Sequence, residues 1–200
     1  MYRKYLKRVF DFVVVVLASI ILSPIFLLLC LLVKFDTKGP VFFKQRRIGM
    51  GKSEFLILKF RSMKIDAPRD QPTHLLENPD IYITRVGKFL RKTSLDELPQ
   101  FFNIIGGQMS IVGPRPALYN QHDLVAMRDE YGANDVRPGL TGWAQVNGRD
   151  ELPIDVKSRY DGEYVEKMSF LFDLKCIART FKSVSTADGI VEGQLMNRKD

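Results

Sequence analysis

A long apolar run near the start of the chain constrains its fold more than any other feature. Residues Phe12 to Val33 read FVVVVLASIILSPIFLLLCLLV, in which only two serines and one proline interrupt the apolar side chains. At about 22 residues, the run is long enough for one membrane-spanning helix. A simple membrane anchor is therefore one interpretation of this segment.

Two features of the run favour a re-entrant hairpin instead. Basic residues flank both ends, at positions 3, 4, 7 and 8 before it and 34, 38, 44, 46 and 47 after it. Because Lys and Arg prefer the cytoplasmic side, this pattern favours having both ends on one face of the membrane. Ser23 and Pro24 lie near the middle, where proline removes a helical hydrogen bond. Each half is then about 16 Å of helix, which reaches the bilayer midplane.

The sequence therefore predicts a re-entrant helical hairpin over residues 1–38, broken at Ser23 and Pro24. We expect it to enter and leave through the cytoplasmic leaflet, with Ser23 Oγ satisfying a carbonyl group that Pro24 frees. A kinked span fits the same residues, since proline is tolerated in spanning helices.

The charge distribution favours an anionic partner. The first 64 residues carry 13 Lys and Arg against 3 Asp and Glu, whereas the other 136 carry 17 against 20. A basic block beside an apolar one is typical of contact with lipid headgroups or phosphates. Nucleic acid is not expected, because no zinc-finger spacing, basic zipper or RNA-binding motif accompanies the charge. The two cysteines are too few for a disulfide framework or a Cys/His metal site.

The pattern over residues 39–200 predicts a compact cytoplasmic catalytic domain of the α+β class, with a small sheet and amphipathic helices at the membrane surface. Strands are expected at residues 41–48, 54–60 and 109–112. Helices are expected at residues 82–92, 95–105, 117–131, 153–167 and 170–184. The last helix carries an apolar stripe, for which core packing is favoured over lipid contact; its members are Phe170, Leu174, Ile177, Phe181 and Val184.

The adjacent carboxylates Asp96 and Glu97 are the first candidates for chemistry. Ser94 and Glu97 match a capping box, and in that interpretation both acids only favour the start of a helix. Nearby cations favour a phosphoryl-transfer site instead; they are Lys59, Arg61, Arg85, Lys88, Arg91 and Lys92. Cations favour an ionised nucleophile, and a second carboxylate can hold Mg²⁺ against diphosphate oxygens.

Two later segments have the composition of ligand-facing loops. Gly113-Pro114-Arg115-Pro116 holds an arginine between two prolines, which suits a rigid phosphate anchor. Residues 136–149 combine glycines, the arginines at 137 and 149 and the only tryptophan. A tightly turned structural loop fits this second segment equally well.

Taken in chain order, these motifs resemble the bacterial sugar transferase family, in its small monotopic phosphoglycosyl transferase form. The resemblance extends from about residue 2 to residue 185. It rests on the RVFD motif at residues 8–11, the Ser23-Pro24 break, KFRSM at 59–63, SLDELPQ at 94–100, GPRP at 113–116, and RPG to NGR at 137–149.

The resemblance implies a reaction and a place for it. A sugar 1-phosphate would pass from a UDP-sugar to polyprenyl (undecaprenyl) phosphate, with release of UMP, in the first membrane step of glycoconjugate or exopolysaccharide synthesis. The enzyme would be a monotopic protein of the bacterial cytoplasmic membrane, in contact with membrane lipids and possible downstream glycosyltransferases. The resemblance also favours the re-entrant hairpin.

Residue roles follow from the same resemblance. Asp96 would be the nucleophile that forms a covalent phospho-sugar intermediate, and Glu97 would serve the Mg²⁺ site. Lys59, Arg91 and Arg115 would surround the phosphates or the nucleotide, and Asp161 would lie near the site. With Arg61 and Arg137 from the basic motifs, these residues form the predicted substrate-binding set.

Two other functions stay open at this stage. A glycosyltransferase would move the sugar without its phosphate and release UDP. A membrane-tethered scaffold would use Asp96 and Glu97 only as helix-capping acids.

Overall fold

The computed structural model of the protein describes residues 2–68, 76, 78–148 and 152–186. The predicted α+β class is confirmed. Seven α-helices and four short strands are described, in the order α1 (Lys7–Ile21), α2 (Ser23–Asp36), β1 (Phe42–Ile48), β2 (Glu54–Phe60), α3 (Arg85–Lys92), α4 (Gln100–Ile105), β3 (Ser110–Val112), α5 (His122–Asp129), β4 (Gly139–Thr141), α6 (Ile154–Lys167) and α7 (Phe170–Thr186).

The apolar run folds as two helices with a break at Leu22. The axes of α1 and α2 differ by 66°; only the bent pair, and no single helix of the described residues, has the length and apolar character to cross a membrane. Pro24 cannot donate to the carbonyl group of Ile20, four residues earlier. Ser23 Oγ donates to that carbonyl oxygen at 2.8 Å, so the predicted rescue of a freed carbonyl group is confirmed.

Most large apolar side chains of the helix pair are exposed. Only Val15, Leu29 and Val33 are buried apolar residues of the described α1 and α2. The exposed ones include Phe12, Val13, Val14, Leu17, Ile20, Ile21, Ile25, Leu27, Leu28, Leu31, Leu32 and Phe35. The pair therefore presents a large apolar surface that the domain does not cover.

The hairpin of β1 and β2 holds the helix pair on the rest of the molecule. The strands lie close to the predicted positions 41–48 and 54–60, and they pair antiparallel, with Phe42 opposite Phe60. Phe55 and Ile57 of β2 pack with Val15 of α1 in one core cluster. Phe60 packs with Leu29 and Val33 of α2 and Leu90 of α3 in a second cluster.

A third core cluster lies under the C-terminal helices. It contains Val112, Trp143, Tyr164 and Cys176, which come from β3, the segment after β4, α6 and α7. Strands β3 and β4 form a separate parallel pair. The predicted helix at 153–167 is confirmed as α6, within one residue.

Three predicted helices are shorter in the structure. The helix expected at 82–92 begins at Arg85, where the Thr84 side chain caps it. The helix expected at 117–131 begins only at His122, because the Ile48 amide donates to the Ala117 carbonyl and Leu118 bridges to Arg47. The helix expected at 95–105 divides into a 3-10 turn, Leu95–Glu97, and α4.

The predicted core stripe of α7 is wrong for Phe170, Leu174 and Phe181, which are exposed, with Phe181 at 72%. Ile177 does pack against the third core cluster, and the side chain of Val184 lies outside the described part of the structure. Asp173 and Cys176 are buried instead. The helix turns this face inward because the Asp173 carboxylate accepts hydrogen bonds from Lys7 at 2.7 Å and Tyr164 at 2.9 Å. Buried polar partners thus override the apolar pattern.

Candidate active site

Asp96 and Glu97 lie in a single 3-10 turn, Leu95–Glu97, between α3 and α4. Ser94 precedes the turn in the left-handed region, at φ 56° and ψ 16°, and its side chain makes no capping hydrogen bond. A non-glycine residue in this region is uncommon, and such residues cluster at functional sites. The capping-box interpretation of Ser94 and Glu97 is therefore wrong.

Two cations from distant parts of the chain hold the Glu97 carboxylate. Lys59 of β2 donates to Glu97 Oε1 at 2.7 Å, and Arg115 donates to the same oxygen at 3.0 Å. Burial opposes ionisation, but Arg115 and Lys59 outweigh it and hold the pKa of Glu97 well below its ordinary value. Glu97 is therefore an anion throughout the physiological pH range.

At Asp96, the adjacent residue, burial has a larger effect on the pKa than the nearby cations have. Burial raises the pKa of its carboxyl group; Lys59 and Arg91 lower that pKa without cancelling burial and the Glu97 charge. The cations thus lower the pKa of both acids, but only at Glu97 do they outweigh burial. Within the described residues, no group donates a hydrogen bond to the Asp96 carboxylate, so its oxygens keep their lone pairs for a ligand.

A cavity of about 340 Å³ opens beside this acid pair. Its lining includes Asp96 together with Lys59 and Arg91. Apolar side chains, among them Phe43 and Met63, form another part of the lining. Such a mixture of charged and apolar groups suits a ligand with an anionic part and a less polar part.

Close packing of α3 sets the position of Arg91. A Cβ atom at Gly87 would lie 1.9 Å from the Ser62 carbonyl oxygen, so only glycine allows the helix to approach that segment. Thr84 caps the helix by accepting from the Gly87 amide at 2.9 Å. Arg91 is one helical turn after Gly87 and lies on the same face. The cavity wall and the cation are therefore fixed by the same contact.

The loop that carries Arg115 crosses the β4 segment in direct backbone contact. The Gly113 amide donates to the Thr141 carbonyl at 2.9 Å, and the Gly139 amide donates to the Pro114 carbonyl at 2.8 Å. A Cβ atom on Gly139 would lie 2.1 Å from the Gly113 nitrogen. Gly139 and Gly142 of the predicted loop at 136–149 therefore serve this crossing, as the structural interpretation proposed, whereas Gly148 lies against the Leu152 side chain.

Strand β1 holds the other side of the Arg115 loop. Arg47 Nη1 donates to the Pro116 carbonyl oxygen at 3.0 Å. The Ile48 amide donates to the Ala117 carbonyl oxygen at 2.9 Å. Sequence reasoning missed this contribution of Arg47, because nothing in a basic run indicates which member bonds to a loop 69 residues away.

Arg61 and Arg137 both bond to backbone carbonyl groups, and Arg61 also lines the cavity that contains Asp96. The Arg61 guanidinium donates to the carbonyl groups of Val33, Thr37 and Lys38 at the end of α2. Arg137 Nε donates to the Gly107 carbonyl oxygen at 2.8 Å, just after α4. Both contacts satisfy carbonyl groups near helix ends. The structure thus gives these two residues a structural task, and their substrate-binding role stays a prediction.

Asp161 is buried in an ion pair with Arg128, a residue that the sequence analysis missed. Arg128 Nε donates to Asp161 Oδ2 at 2.8 Å, and its Nη1 donates to the carbonyl oxygen of Arg115 at 3.0 Å. Asp161 therefore lies near the site, as predicted, but contacts it through Arg128. No spacing signal could join two residues 33 positions apart on separate helices.

The acid pair fits a Mg²⁺ ion that shares its ligands with a substrate. Mg²⁺ is typically bound by one or two carboxylates together with phosphate oxygens and water. The described residues contain no group of three His, Cys, Asp or Glu side chains able to hold a metal. Asp96 and Glu97 provide hard oxygen donors, and a diphosphate would complete the ligand set.

Sequence comparisons place this geometry in a known family. Residues 2–187 match the family described as Bacterial sugar transferase. A Xanthomonas campestris pv. campestris protein named UDP-glucose:undecaprenyl-phosphate glucose-1-phosphate transferase is 42% identical over 87% of this chain. The Exopolysaccharide production protein ExoY of Sinorhizobium fredii is 40% identical over 92% of the chain.

A third relative differs in the sugar that its name gives. The UDP-N-acetylgalactosamine-undecaprenyl-phosphate N-acetylgalactosaminephosphotransferase of Aeromonas hydrophila is 36% identical over 92% of the chain. This chain spans 87% of ExoY, but 37% of the Xanthomonas protein and 45% of the Aeromonas protein. By the family match over residues 2–187 and these identities, the chain belongs to the bacterial sugar transferase family.

Proposed function

We propose that this protein transfers a sugar 1-phosphate from a UDP-sugar to polyprenyl phosphate and releases UMP. The observation that carries the proposal is the Asp96 carboxylate, which lines a cavity with Lys59 and Arg91 and lies beside a Glu97 held by Lys59 and Arg115. Cations around a carboxylate suit a reaction in which a diphosphate is bound and cleaved.

In the first step, an Asp96 carboxylate oxygen attacks the phosphorus that carries the sugar. A bond forms between Asp96 and that phosphorus, the phosphoanhydride bond breaks, and UMP leaves with the electron pair. Lys59, Arg91 and Arg115 stabilise the negative charge that develops on the phosphate oxygens. Burial of Asp96 favours this attack, because a poorly solvated carboxylate has little water to displace.

In the second step, a phosphate oxygen of polyprenyl phosphate attacks the same phosphorus. The bond to Asp96 breaks, the carboxylate is regenerated, and the lipid leaves as a polyprenyl diphosphate sugar. Glu97, with Asp96, would hold Mg²⁺, which when bound neutralises the diphosphate oxygens of the donor. The hydrogen bonds from Lys59 and Arg115 keep the Glu97 carboxylate in one orientation beside Asp96 through both steps.

The membrane is where the two substrates would meet. The exposed apolar surface of α1 and α2 and the exposed Leu171 and Phe181 of α7 support insertion of the bent pair and contact of α7 with lipid. We propose that residues 1–38 form a re-entrant hairpin in the bacterial cytoplasmic membrane and that residues 39–200 form the catalytic domain on its cytoplasmic face. The relatives' names support an undecaprenyl phosphate acceptor and a UDP-linked hexose or N-acetylhexosamine donor.

The proposal is tested by weighing the intact protein. The detergent-purified protein is incubated with Mg²⁺ and a panel of UDP-sugars without lipid, and a sugar-phosphate adduct is expected with one donor. Asp96→Asn should abolish the adduct and nearly all turnover. Asp129→Asn is the matched control, since Asp129 is exposed and pairs with Lys52, and it should keep both.

Other outcomes separate the remaining functions. UMP formation with polyprenyl phosphate, but no adduct, would contradict the covalent route and keep the transfer. UDP as the product would identify a glycosyltransferase. An Asp96→Asn protein that supports polysaccharide synthesis in cells as well as the wild type would identify a scaffold.

A further inference from the structure

A buried ion pair lies next to the candidate active site without facing its cavity. Arg128 of α5 is 3% exposed and Asp161 of α6 is 1% exposed. Two nitrogens of Arg128 donate to Asp161 Oδ2, at 2.8 Å from Nε and 2.5 Å from Nη2. A buried pair of this kind is costly to desolvate and is therefore weak evidence for stability.

The third donor direction of Arg128 connects the pair to the site. Nη1 donates at 3.0 Å to the backbone carbonyl oxygen of Arg115, and the Arg115 guanidinium donates to Glu97 at 3.0 Å. A planar guanidinium can bind a carboxylate and a carbonyl group at the same time, whereas a lysine ammonium cannot reproduce that fork. The pair thus fixes the backbone from which the Arg115 side chain extends.

Packing of the two helices keeps the pair in place. A Cβ atom at Gly162 would lie 2.7 Å from the Tyr131 side chain, so only glycine lets α6 approach the end of α5 this closely. Asp161 and Gly162 are adjacent, and Tyr131 follows Arg128 by three residues. The close contact therefore brings Asp161 to Arg128.

We propose that Arg128 and Asp161 are positioning residues, which hold the Arg115 guanidinium on Glu97 and on the donor diphosphate. The inference rests on the proposed function, because it assigns Arg115 to the diphosphate. Neither residue contacts the substrate in this role. Asp161 orients Arg128, and Arg128 orients the Arg115 backbone.

A double-mutant cycle tests the proposal. Arg128→Lys keeps the charge and breaks the fork, and Asp161→Asn keeps the shape and removes the charge. Each should lower kcat/KM by about 100-fold if Arg115 moves by about 1 Å. In an Arg115→Ala background, the same substitutions should cost less than about twofold, because their effect passes through the missing guanidinium. Glu130→Gln, at an exposed residue just after the end of α5, is the control, and it should not change kcat/KM in either background.

The same cycle is measured on the Kd of UDP by calorimetry, so that binding is read without turnover. Coupled losses of UDP affinity in a wild type that transfers no sugar phosphate would support positioning and contradict the proposed reaction. Independent losses that multiply in the double variants, in an active wild type, would overturn positioning alone. If Arg128→Lys and Asp161→Asn both lose the native circular dichroism spectrum, the pair is structural and the proposal fails.

Discussion

At the residue scale, two neighbouring carboxylates beside the same cations have pKa values shifted in opposite directions. Glu97 accepts hydrogen bonds from Lys59 and Arg115, and these charges overcome burial. Asp96 feels the same cations without hydrogen bonds, so burial dominates and its pKa rises. Environments that separate the pKa values of two acids typically give them different roles. Here Glu97 would stay ionised to hold Mg²⁺, while Asp96 attacks.

Lys59→Met should move the acid limb of kcat/KM to higher pH. Lys59 is the strongest charge that lowers the pKa of Asp96, so its removal raises that pKa further. The nucleophile is then protonated over a wider pH range, and activity is lost at a higher pH than in the wild type. The measurement is the pH dependence of kcat/KM over the pH range in which both proteins stay folded.

Lys88→Met is the control for this substitution. Lys88 is exposed on α3, and its replacement by Met removes the same charge as Lys59→Met. The acid limb of the Lys88→Met variant should therefore coincide with that of the wild type. An acid limb that stays in place in Lys59→Met, or moves to lower pH, would contradict the assignment of this limb to Asp96.

At the element scale, the position of α3 depends on a single missing side chain. Gly87 lies against the Ser62 backbone, and Arg91 lies one turn farther along the helix. One helix contact, between Gly87 and Ser62, therefore places both the Ser62 part of the cavity wall and the Arg91 cation. The same logic applies to Gly162 between α5 and α6.

Gly87→Ala should displace α3 and weaken donor binding. The added Cβ would lie 1.9 Å from the Ser62 carbonyl oxygen, and overpacking of this kind costs about 1 to 3 kcal/mol. We expect a lower melting temperature and a higher KM for the UDP-sugar, because Arg91 moves with the helix. Thermal unfolding and steady-state kinetics measure the two effects.

Gly106→Ala provides the comparison, since its nearest contact would be at 3.2 Å. It should change stability and KM much less. Equal effects of the two substitutions would show that the approach of α3 to Ser62 has no special importance.

At the scale of the whole molecule, a buried polar network joins the start of the chain to its C-terminal helix. Asp173 of α7 accepts hydrogen bonds from Tyr2, Lys7 and Tyr164. Tyr164 also donates to the Val112 carbonyl oxygen at 2.9 Å. The beginning of α1 is thus tied to the catalytic domain by polar contacts as well as by the apolar core.

Asp173→Ala should unfold the protein at much lower denaturant or temperature. It leaves the Lys7 ammonium buried without its closest carboxylate, which typically costs about 3 to 5 kcal/mol. Unfolding of the detergent-solubilised protein, followed by circular dichroism, measures the loss. The double variant Lys7→Met, Asp173→Ala should recover part of it, because no unpaired charge remains. A loss under about 1 kcal/mol in the single variant would contradict the importance of this pair.

The arrangement of the helix pair in the membrane is tested by cysteine labelling. Arg3→Cys and Lys38→Cys are made in a background without Cys30 and Cys176, with Glu130→Cys as the reference on the catalytic domain. If both ends lie on the cytoplasmic side, none of the three is labelled by an impermeant maleimide until the cells are permeabilised. Labelling of one end in intact cells would identify a kinked span and overturn the hairpin.

Local patterns in the sequence determined much of the fold. Two short strand-like runs, at residues 41–48 and 54–60, and the turn at residues 49–52 between them predict the β1–β2 hairpin, because strand pairing across a short turn depends on nearby residues. Proline chemistry predicts the break in the apolar run and the bond from Ser23 to the Ile20 carbonyl group. The motif resemblance predicted the family, which the comparisons confirm.

Long-range contacts decided the rest. The sequence could not show that Arg61 bonds to the end of α2, that Arg128 joins Asp161 to the Arg115 loop, or that Asp173 turns the apolar stripe of α7 outward. It also could not show that burial outweighs charge at Asp96 but not at Glu97, although the two are adjacent. Each of these outcomes depends on which groups from distant segments meet in three dimensions and how much water they exclude, and the balance of burial and charge exists only once the chain is folded.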